Sequence, residues 1–522
     1  MATMRTTTLT IFLTFIFFCS TLSSINADID LFCGKTPYPE ACKTSMTTHG
    51  LHSYNPKVHS DFKKMTIQAA MEHTLRAQTL IESLGSKCRN EKEKAAWADC
   101  VELHKHSVHQ LNSTINPYNN CTDSDKQTWL STAITNLDTC RDGFFDLNVS
   151  DYLLPLMSND ASKMISNSLS VNKVEEPQEQ TYENDKFPTW VSPGDRKLLS
   201  SRSTSVKANL VVAQDGSGRY RTIQAALNAA AKTNRGSKRF VIYVKKGVYR
   251  ENLDIGSSLT NILLVGDGLK YTIITGSRSV GGGSTTFGSA TVGVVGKGFM
   301  ARGITIRNTA GPQNNQAVAL RSGADKSVFY QCSIEGYQDT LYVHSQRQFY
   351  RECYIIGSVD FIFGNAAVVL QNCMIYARRP ITGQEITVTA QGRTDPNQNT
   401  GISIHNSRVM AGSDLARIQS SVRAYLGRPW KEYSRTVYMQ TYLGSLIDPA
   451  GWLEWNGNFA LNTLYYGEYK NSGPGSSTAR RVRWGGYHVI TQASVALQFT
   501  VGRFISGNSW LPATSVPYTS GL

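Results

Sequence analysis

The sequence Gly357-Ser358-Val359-Asp360-Phe361-Ile362-Phe363-Gly364 places one carboxylate inside a run of apolar and β-branched residues between two glycines. An aspartate is unusual in a strand, because burying an unpaired carboxylate costs free energy. A second segment, Gly336-Tyr337-Gln338-Asp339-Thr340-Leu341-Tyr342, lies upstream, and the two aspartates are 21 residues apart. Two carboxylates held together in a half-buried site indicate acid–base or nucleophilic chemistry, and two solvated turn residues are the alternative.

The spacing of the neighbouring apolar runs favours the first interpretation. Cysteines recur at intervals of 21 and 20 residues between Cys332 and Cys373, and Gln316 precedes Asp339 by 23 residues. Runs of strand length at a period of about twenty, with glycines at the corners, are typical of a right-handed parallel β-helix. Neighbouring parallel strands lie about 4.8 Å apart. The sequence therefore predicts that Gln316, Asp339 and Asp360 line up on one face across three successive coils.

The length of 522 residues predicts two domains, and a hydrophobic content of 40% with 18% charged residues is typical of globular proteins. Residues 1–27 contain Arg5, an apolar stretch over 11–19, and then small and polar residues, which together predict a signal peptide. A retained N-terminal anchor is the alternative, although the apolar stretch is short for a membrane-spanning helix. We expect the mature chain to be soluble and exported.

Residues 28–171 show helical periodicity, which predicts an all-α bundle of the four-helix type. Apolar positions recur at helical spacing within 61–84, 95–111 and 127–137. Residues 172–206 are polar, lack periodicity and are rich in Glu, Gln, Pro and Ser, so they are predicted to form a linker. The β-helix is predicted to occupy residues 207–522.

Charge is divided unevenly between the two halves. From Ser200 onward the chain has 34 Lys and Arg against 16 Asp and Glu, a balance of +18, whereas the preceding part has a balance of −4. A basic domain beside a slightly acidic one predicts that they contact each other and that the basic domain binds an external polyanion. An acidic polysaccharide fits better than nucleic acid, because the chain is predicted to be exported and lacks a nucleic-acid motif.

From about Lys207 to the C-terminus the chain resembles the plant pectin methylesterases. Five segments match in the family's order: Gly247–Glu251, Gln316–Arg321, Gly336–Tyr342, Gly357–Gly364 and Leu426–Trp430. The resemblance implies a secreted pectinesterase of the cell wall or apoplast, an aspartyl esterase. Its substrate would be methyl-esterified homogalacturonan, from which it releases methanol and leaves free galacturonate. We expect it to need no cofactor, and to be a monomer when mature.

The same resemblance implies a role for each site residue. Asp360 is the nucleophile, Asp339 is the proton donor and later the base, and Arg428 orients Asp360. Gln316 and Gln338 stabilise the oxyanion as neutral donors, which suits an amide NH₂ group. The implied substrate contacts are Thr286, Gln316, Phe363, Arg428 and Trp430.

The N-terminal domain resembles the invertase and pectin methylesterase inhibitors in the segment Cys33–Cys42 and around Cys100 and Cys140. This resemblance implies the disulfides Cys33–Cys42 and Cys100–Cys140. It also implies that the domain is a pro-domain that inhibits the catalytic half, although a role in folding or in holding the chain back during export is left open. Separate inhibitor proteins are further expected partners.

The remaining cysteines are less determined. Stacking in the coils would bring Cys332 and Cys353, or Cys353 and Cys373, within disulfide range, and we favour Cys332–Cys353. The pairing of Cys88 and Cys121 stays open. No pair has the spacing of a zinc site, so no metal site is predicted.

Two kinds of modification are predicted. Arg196-Lys197-Leu198-Leu199 resembles the basic site that subtilisin-like proteases recognise in two-domain members of the family, and cleavage after Leu199 would release Ser200–Leu522. Sequons predict N-glycosylation at Asn112, Asn120 and Asn148.

Pectate lyases and polygalacturonases share the β-helix scaffold and are rival interpretations, as is an inhibitor or binding protein with a weak or inactive catalytic half. A lyase would need calcium-binding acid clusters, and a polygalacturonase should show a Gly-His-Gly segment, which this sequence lacks. The sequence does not specify the pH optimum, the tissue, or whether demethylation is blockwise or random.

Overall fold

The computed structural model describes residues 29–48, 59–150, 160–173, 207–233 and 238–522. The predicted signal peptide at 1–27, the processing residues Arg196, Lys197, Leu198 and Leu199, and almost all of the predicted linker lie outside these residues. Within the described ranges, no helix combines the length and apolar character needed to cross a membrane.

The N-terminal domain is helical, as the periodicity predicts. Its helices are α1 (Pro39–Thr48), α2 (His59–Leu84), α3 (Glu91–Ile115), α4 (Asp123–Asp146) and α5 (Ala161–Val171). Asn90 caps α3 by accepting a hydrogen bond from the Glu93 amide. A capping box formed by Thr122 and Asp125 begins α4, where both reciprocal hydrogen bonds are present.

Helix α4 extends nine residues beyond the predicted end at Leu137. Every residue from Gln127 to Cys140 is buried, so the helix has no solvent-facing stripe over this length. A helix that is buried all round packs against neighbours on every side. Helices α3 and α5 supply part of this cover, and the second domain supplies the rest.

Two disulfides hold the helical domain. One joins Cys33 to Cys42, with Cα atoms 5.6 Å apart, and the other joins Cys100 on α3 to Cys140 on α4, with Cα atoms 4.6 Å apart. These are the two bridges that the resemblance implies. Cys88 and Cys121 are half-buried and unpaired.

The second domain is a parallel β-helix of three sheets, in which every paired strand runs parallel to its neighbour within residues 207–233 and 238–522. Sheet 1 has the spatial order β1 (Leu210–Val212), β2 (Phe240–Val244), β5 (Ile262–Gly266), β8 (Met300–Arg302), β11 (Ser327–Tyr330), β14 (Arg347–Arg351), β17 (Ala367–Gln371), β20 (Gly401–His405), β23 (Arg435–Met439), β25 (Tyr465–Tyr469) and β26 (Tyr487–Val489).

The other two sheets complete each coil. Sheet 2 has the order β4 (Leu253–Ile255), β7 (Val292–Val294), β10 (Leu320–Ser322), β13 (Leu341–Val343), β16 (Ile362–Gly364), β19 (Ile386–Gln391) and β22 (Ala424–Gly427). Sheet 3 has the order β3 (Gly247–Arg250), β6 (Thr272–Gly276), β9 (Thr305–Asn308), β12 (Ser333–Glu335), β15 (Tyr354–Gly357), β18 (Met374–Ala377), β21 (Arg408–Ala411) and β24 (Tyr442–Leu443).

Stacked side chains of the same kind fill the interior of the coil. Ile334, Ile355 and Ile375 are in register on three consecutive strands of sheet 3, and all three are fully buried. β-Branched residues pack well in such ladders because their stiff side chains fit a pleated surface. Short helices lie outside the coils: α6 (Ile223–Thr233), α7 (Ser413–Ala416), α8 (Ala493–Leu497) and α9 (Val501–Phe504).

The coil cysteines correct one prediction, because Cys332 and Cys353 are not bonded to each other and Cys373 is also a free thiol. The Cys353 sulfur instead lies 3.2 Å from the carbonyl oxygen of Phe329. Stacked coils keep equivalent Cα–Cβ bonds parallel and about 4.8 Å apart, whereas a disulfide needs Cβ atoms about 3.8 Å apart. Proximity of the coils is therefore insufficient for a bond.

Candidate active site

Three equivalent turns, those leading into β10, β13 and β16 of sheet 2, hold the predicted site residues. Gln316 lies before β10, Asp339 before β13 and Asp360 before β16. The turns are stacked by backbone hydrogen bonds, since the Ala317 amide donates to the Gln338 carbonyl at 3.2 Å and the Asp339 amide donates to Val359 at 3.0 Å. The predicted alignment across three successive coils is therefore present.

Both aspartates have left-handed backbone conformations, with φ of 60° at Asp339 and 50° at Asp360. Such angles are uncommon for residues other than glycine, although aspartate adopts them more readily than most. The tight turn explains how a carboxylate can stand between two apolar strands without entering either one.

The Asp360 carboxylate is held by two neighbours. Arg428 donates from Nε to Oδ1 at 2.9 Å and from Nη2 to Oδ2 at 2.7 Å. Thr387, on β19 of the next coil, donates to Oδ1 at 2.6 Å, and its hydroxyl accepts from the Asp360 amide at 2.8 Å. Hydrogen bonds to an ionised carboxylate favour its charged form. The Asp360 side chain is thus fixed in position and orientation.

The surroundings of Asp339 differ from those of Asp360. Its side chain is buried, and burial is the main factor that raises its pKa well above the usual range, with the nearby Asp360 carboxylate acting in the same direction. Arg428 opposes the shift but does not cancel it. The site therefore places a buried carboxyl group with a raised pKa, which suits a general acid, beside an arginine-bound carboxyl group.

A cavity of about 300 Å³ connects these groups. All the predicted site residues line it: Thr286, Gln316, Gln338, Asp339, Asp360, Phe363, Arg428 and Trp430. Gln316 and Gln338 are half-buried, and within the described parts of the chain neither side-chain amide hydrogen-bonds another residue. Both amides are thus available as donors to a bound group.

An aromatic surface forms one side of the cavity. Tyr342 and Phe363 are in register on neighbouring strands, and their rings stack with centroids 4.2 Å apart. The Trp430 ring meets Phe363 edge-on at 5.8 Å. Trp430 lies against Gly392, where an added Cβ would come within 2.7 Å of the indole. A glycine is therefore required for the indole to take this place.

The helical domain closes the cavity from the other side. Asp142, Gly143 and Asp146, near the end of α4, contribute to its lining. The Asp146 carboxylate accepts a hydrogen bond from the Thr286 amide at 2.8 Å, and Asp142 pairs with Lys431 at 2.8 Å. Burial raises the pKa of both carboxyl groups. Helix α4 therefore covers one side of the cavity.

Sequence reasoning missed several of these residues. Trp455 lines the cavity, and the Arg428 guanidinium lies 4.5 Å from its ring centroid. Thr387 carries no distinguishing motif, and only its place one coil beyond Asp360 identifies it. Among residues in the described ranges, no group of three His, Cys, Asp or Glu side chains is arranged to hold a metal ion.

The predicted glycosylation residues Asn112, Asn120 and Asn148 are all exposed. Exposure is necessary for attachment of a glycan but does not demonstrate it. Glycosylation therefore stays a prediction.

Comparison with protein families identifies both halves of the chain. Residues 209–508 match the family described as Pectinesterase, and residues 27–171 match the family described as Plant invertase/pectin methylesterase inhibitor. Pectinesterase 2 of Citrus sinensis is 63% identical over 495 residues, which are 95% of each chain. Probable pectinesterase/pectinesterase inhibitor 17 of Arabidopsis thaliana is 58% identical over 505 residues, which are 96% of each chain.

Solved structures match the β-helix. A pectin methylesterase from carrot is 59% identical, with a TM-score of 0.60, and the match covers 99% of that protein but 61% of this chain. The pectin methylesterase of Aspergillus niger in deglycosylated form is 33% identical, with a TM-score of 0.51 over 59% of this chain. The part of this chain that the carrot protein matches is about as large as the β-helix, and the structure of the carrot protein is matched almost completely.

Proposed function

The chain belongs to the pectinesterase family, and on that premise we propose that the cavity around Asp339, Asp360 and Arg428 is its active site. The protein is a pectin methylesterase, a carboxylic ester hydrolase that demethylates pectin. An inhibitor-type domain precedes the esterase. The observation that carries the site assignment is one cavity that holds buried Asp339 beside Asp360, with Arg428 bound to Asp360 through two hydrogen bonds.

In the first half of the reaction, Asp360 attacks the carbonyl carbon of the methyl ester. Gln316 and Gln338 donate hydrogen bonds to the oxygen that becomes negative, which stabilises the tetrahedral intermediate without adding charge. When the C–O bond to the methoxy group breaks, Asp339 gives its proton to that oxygen and methanol leaves. The product of this step is an anhydride between Asp360 and the galacturonate carboxyl group.

In the second half, Asp339 is ionised and acts as the base. It takes a proton from a water molecule, and the resulting hydroxide attacks the galacturonate carbonyl carbon, whose bond to the Asp360 oxygen breaks. Asp339 keeps this proton, and the galacturonic acid that leaves gives up its own proton to the solvent. Asp360 returns to its ionised state, where Arg428 and Thr387 hold it for the next substrate. Trp430 and Trp455 supply flat faces against which sugar rings can stack.

The helical domain keeps the uncut chain inactive in this proposal. Its helix α4 contributes Asp142, Gly143 and Asp146 to the cavity and occupies the space that a polymer of galacturonate would need. An intramolecular contact of this kind has a high effective concentration, so it holds until the linker is cut. Cleavage at Arg196–Leu199 by a subtilisin-like protease would then allow the domains to separate.

Enzymes of this plant family act in the cell wall. We infer that residues 1–27 direct the chain to the secretory pathway. The mature catalytic domain then works in the cell wall as a monomer. Free inhibitor proteins of the same type as the N-terminal domain would bind the same cleft after maturation.

The test uses the full chain before and after cleavage between the domains, with methyl-esterified pectin as the substrate. Methanol release without new reducing ends, appearing after cleavage, is the expected result. New reducing ends would instead identify a depolymerase. If neither appears, and the chain inhibits a separate active pectinesterase, the protein acts as an inhibitor and the catalytic proposal is wrong.

A further inference from the structure

Lys431 lies directly after Trp430, at the edge of the cavity, and has no role in the mechanism above. Its ammonium group is 2.8 Å from a carboxylate oxygen of Asp142 and 4.9 Å from the centroid of the Trp430 ring. The Lys431 and Asp142 side chains are 24% and 25% exposed, so the pair is largely but not completely shielded from water. Lys431 is therefore a cation at the edge of the cavity, and in this structure it binds the carboxylate of Asp142.

The identity of that carboxylate matters, because Asp142 belongs to the helical domain. Asp142 and Asp146 are one turn apart on α4, and both line the same cavity as the two catalytic carboxyl groups. The catalytic domain supplies a donor to each, the Lys431 ammonium to Asp142 and the Thr286 amide to Asp146. An aspartate side chain carries the same chemical group as a demethylated galacturonate.

We propose that Lys431 binds the free carboxylate of a galacturonate residue near the methyl ester under attack, and that Asp142 occupies this position in the uncut chain. The proposal rests on the pectin methylesterase function. A methyl ester is neutral and cannot form an ion pair, so Lys431 distinguishes residues that are already demethylated from residues that are not. Enzyme bound in this way acts preferentially beside its own earlier product.

The net charge of the catalytic domain does not by itself account for such selectivity. A balance of +18 attracts any polyanion and holds it loosely, because exposed charges are screened over about 10 Å at 0.1 M salt. Lys431 differs in its position, since its ammonium group lies over the ring of Trp430, which itself lines the cavity. A cation placed against an aromatic ring is stabilised there in one orientation.

The test compares Lys431→Gln with Lys470→Gln. Lys470 is a matched control, since its ammonium group likewise lies near an aromatic ring, 5.3 Å from the centroid of Tyr469. Lys470 is exposed and follows β25 in sheet 1, whereas the cavity is lined by the turns before sheet 2. Each variant is made in the full chain with a specific protease site within residues 172–206. The catalytic half is separated after cleavage, and KM and kcat for methanol release are measured on highly methylated and on partly demethylated pectin.

We expect Lys431→Gln to raise KM on partly demethylated pectin by about five- to tenfold, the effect of losing one partly shielded ion pair, with kcat unchanged. On highly methylated pectin KM should change less than about twofold, and Lys431→Arg should restore most of the loss. An equal change on both substrates, or no change on either, would overturn the proposal. So would an equal effect of Lys470→Gln.

A binding measurement separates this inference from the catalytic assignment. A fully de-esterified oligogalacturonate is titrated into the separated catalytic halves, and affinity is measured by calorimetry without turnover. Weaker binding by Lys431→Gln alone supports the carboxylate subsite even if no methanol is released from any substrate. Unchanged binding in a variant that still releases methanol would leave the esterase function intact and show that Lys431 only holds the helical domain.

Discussion

The guanidinium of Arg428 and the carboxylate of Asp360 form two parallel hydrogen bonds, at 2.9 and 2.7 Å, although the residues are 68 positions apart in the chain. A bidentate pair fixes the plane of the carboxylate as well as its position. Burial acts to lower the pKa of Arg428, but Asp360 raises it overall, so the guanidinium stays charged. The nucleophile proposed here is thus oriented before any substrate binds.

Replacement of Asp360 by Asn should abolish methanol release, with a loss of at least about a thousandfold in kcat, as is common when a nucleophile is removed. The two side chains are nearly the same shape, so the melting temperature should change little. Both quantities are measured on the cleaved protein. Asp414→Asn, at an exposed carboxylate, is the control, and activity of Asp360→Asn within about tenfold of the unaltered protein would contradict the nucleophile assignment.

Thr387→Val should lower kcat by about tenfold, because Asp360 loses one charge-assisted hydrogen bond and its amide loses an acceptor. KM should change little, since Thr387 does not line the cavity around the reacting groups. Thr436→Val is the matched control, because the Thr436 hydroxyl is buried without a hydrogen-bond partner among the described residues. If both variants lose activity equally, packing of the threonine explains the effect and the positioning role is wrong.

The contribution of Asp99 to association of the two domains should strengthen as the pH falls from about 7 towards 4. Asp99 on α3 accepts a hydrogen bond from Thr285, and burial raises its pKa to about 7 in the uncut chain, from a usual value of about 4. The associated state therefore binds a proton that the separated state releases in this range. The favourable contribution of this proton to association is lost when the pH rises through about 7, the pKa of Asp99 in the associated state. It stops growing once the pH is below about 4, because Asp99 is then protonated in both states.

The dissociation constant of the two cleaved halves is measured between pH 5 and 8. Asp99→Asn should reduce the slope of log Kd against pH by about one, because one linked proton is lost. The groups that face Asp99 are Thr285, Arg321, Glu102 and Asp254, and they are unchanged in this variant. Asp160→Asn, in the partly exposed turn before α5, should leave the slope as it is. An unaltered slope in Asp99→Asn would show that other groups set the pH dependence.

Replacement of both Arg196 and Lys197 by Ser should leave an uncut chain with little esterase activity. The physical reason is that α4 stays in the cavity as long as the linker holds it there. Protein recovered from plant cell walls is sized by electrophoresis, its N-terminus is sequenced, and methanol release is measured. Normal maturation of this variant would place the processing site elsewhere, for instance at Arg202.

Much of the catalytic half could be predicted from the sequence because a β-helix converts sequence period into spatial neighbours. Residues about one coil apart in the chain become lateral neighbours, so the intervals between Gln316, Asp339 and Asp360 were sufficient to bring them together. The coil cysteines show the limit of this argument. The same period placed Cys332 beside Cys353 but could not specify the direction of their side chains.

Contacts between distant segments depend on the tertiary structure alone. Nothing in the sequence around Asp142 or Asp146 indicates that α4 lines the cavity, because helical periodicity identifies a buried face but not what covers it. The raised pKa of Asp339 likewise comes from burial and from Asp360, neither of which is a local property. The sequence by itself determined the coil and which candidate site residues become neighbours, since these depend on local period and residue type. Only the tertiary structure decided how deeply these residues are buried and which helix covers them, since both depend on contacts between segments that are distant in the chain.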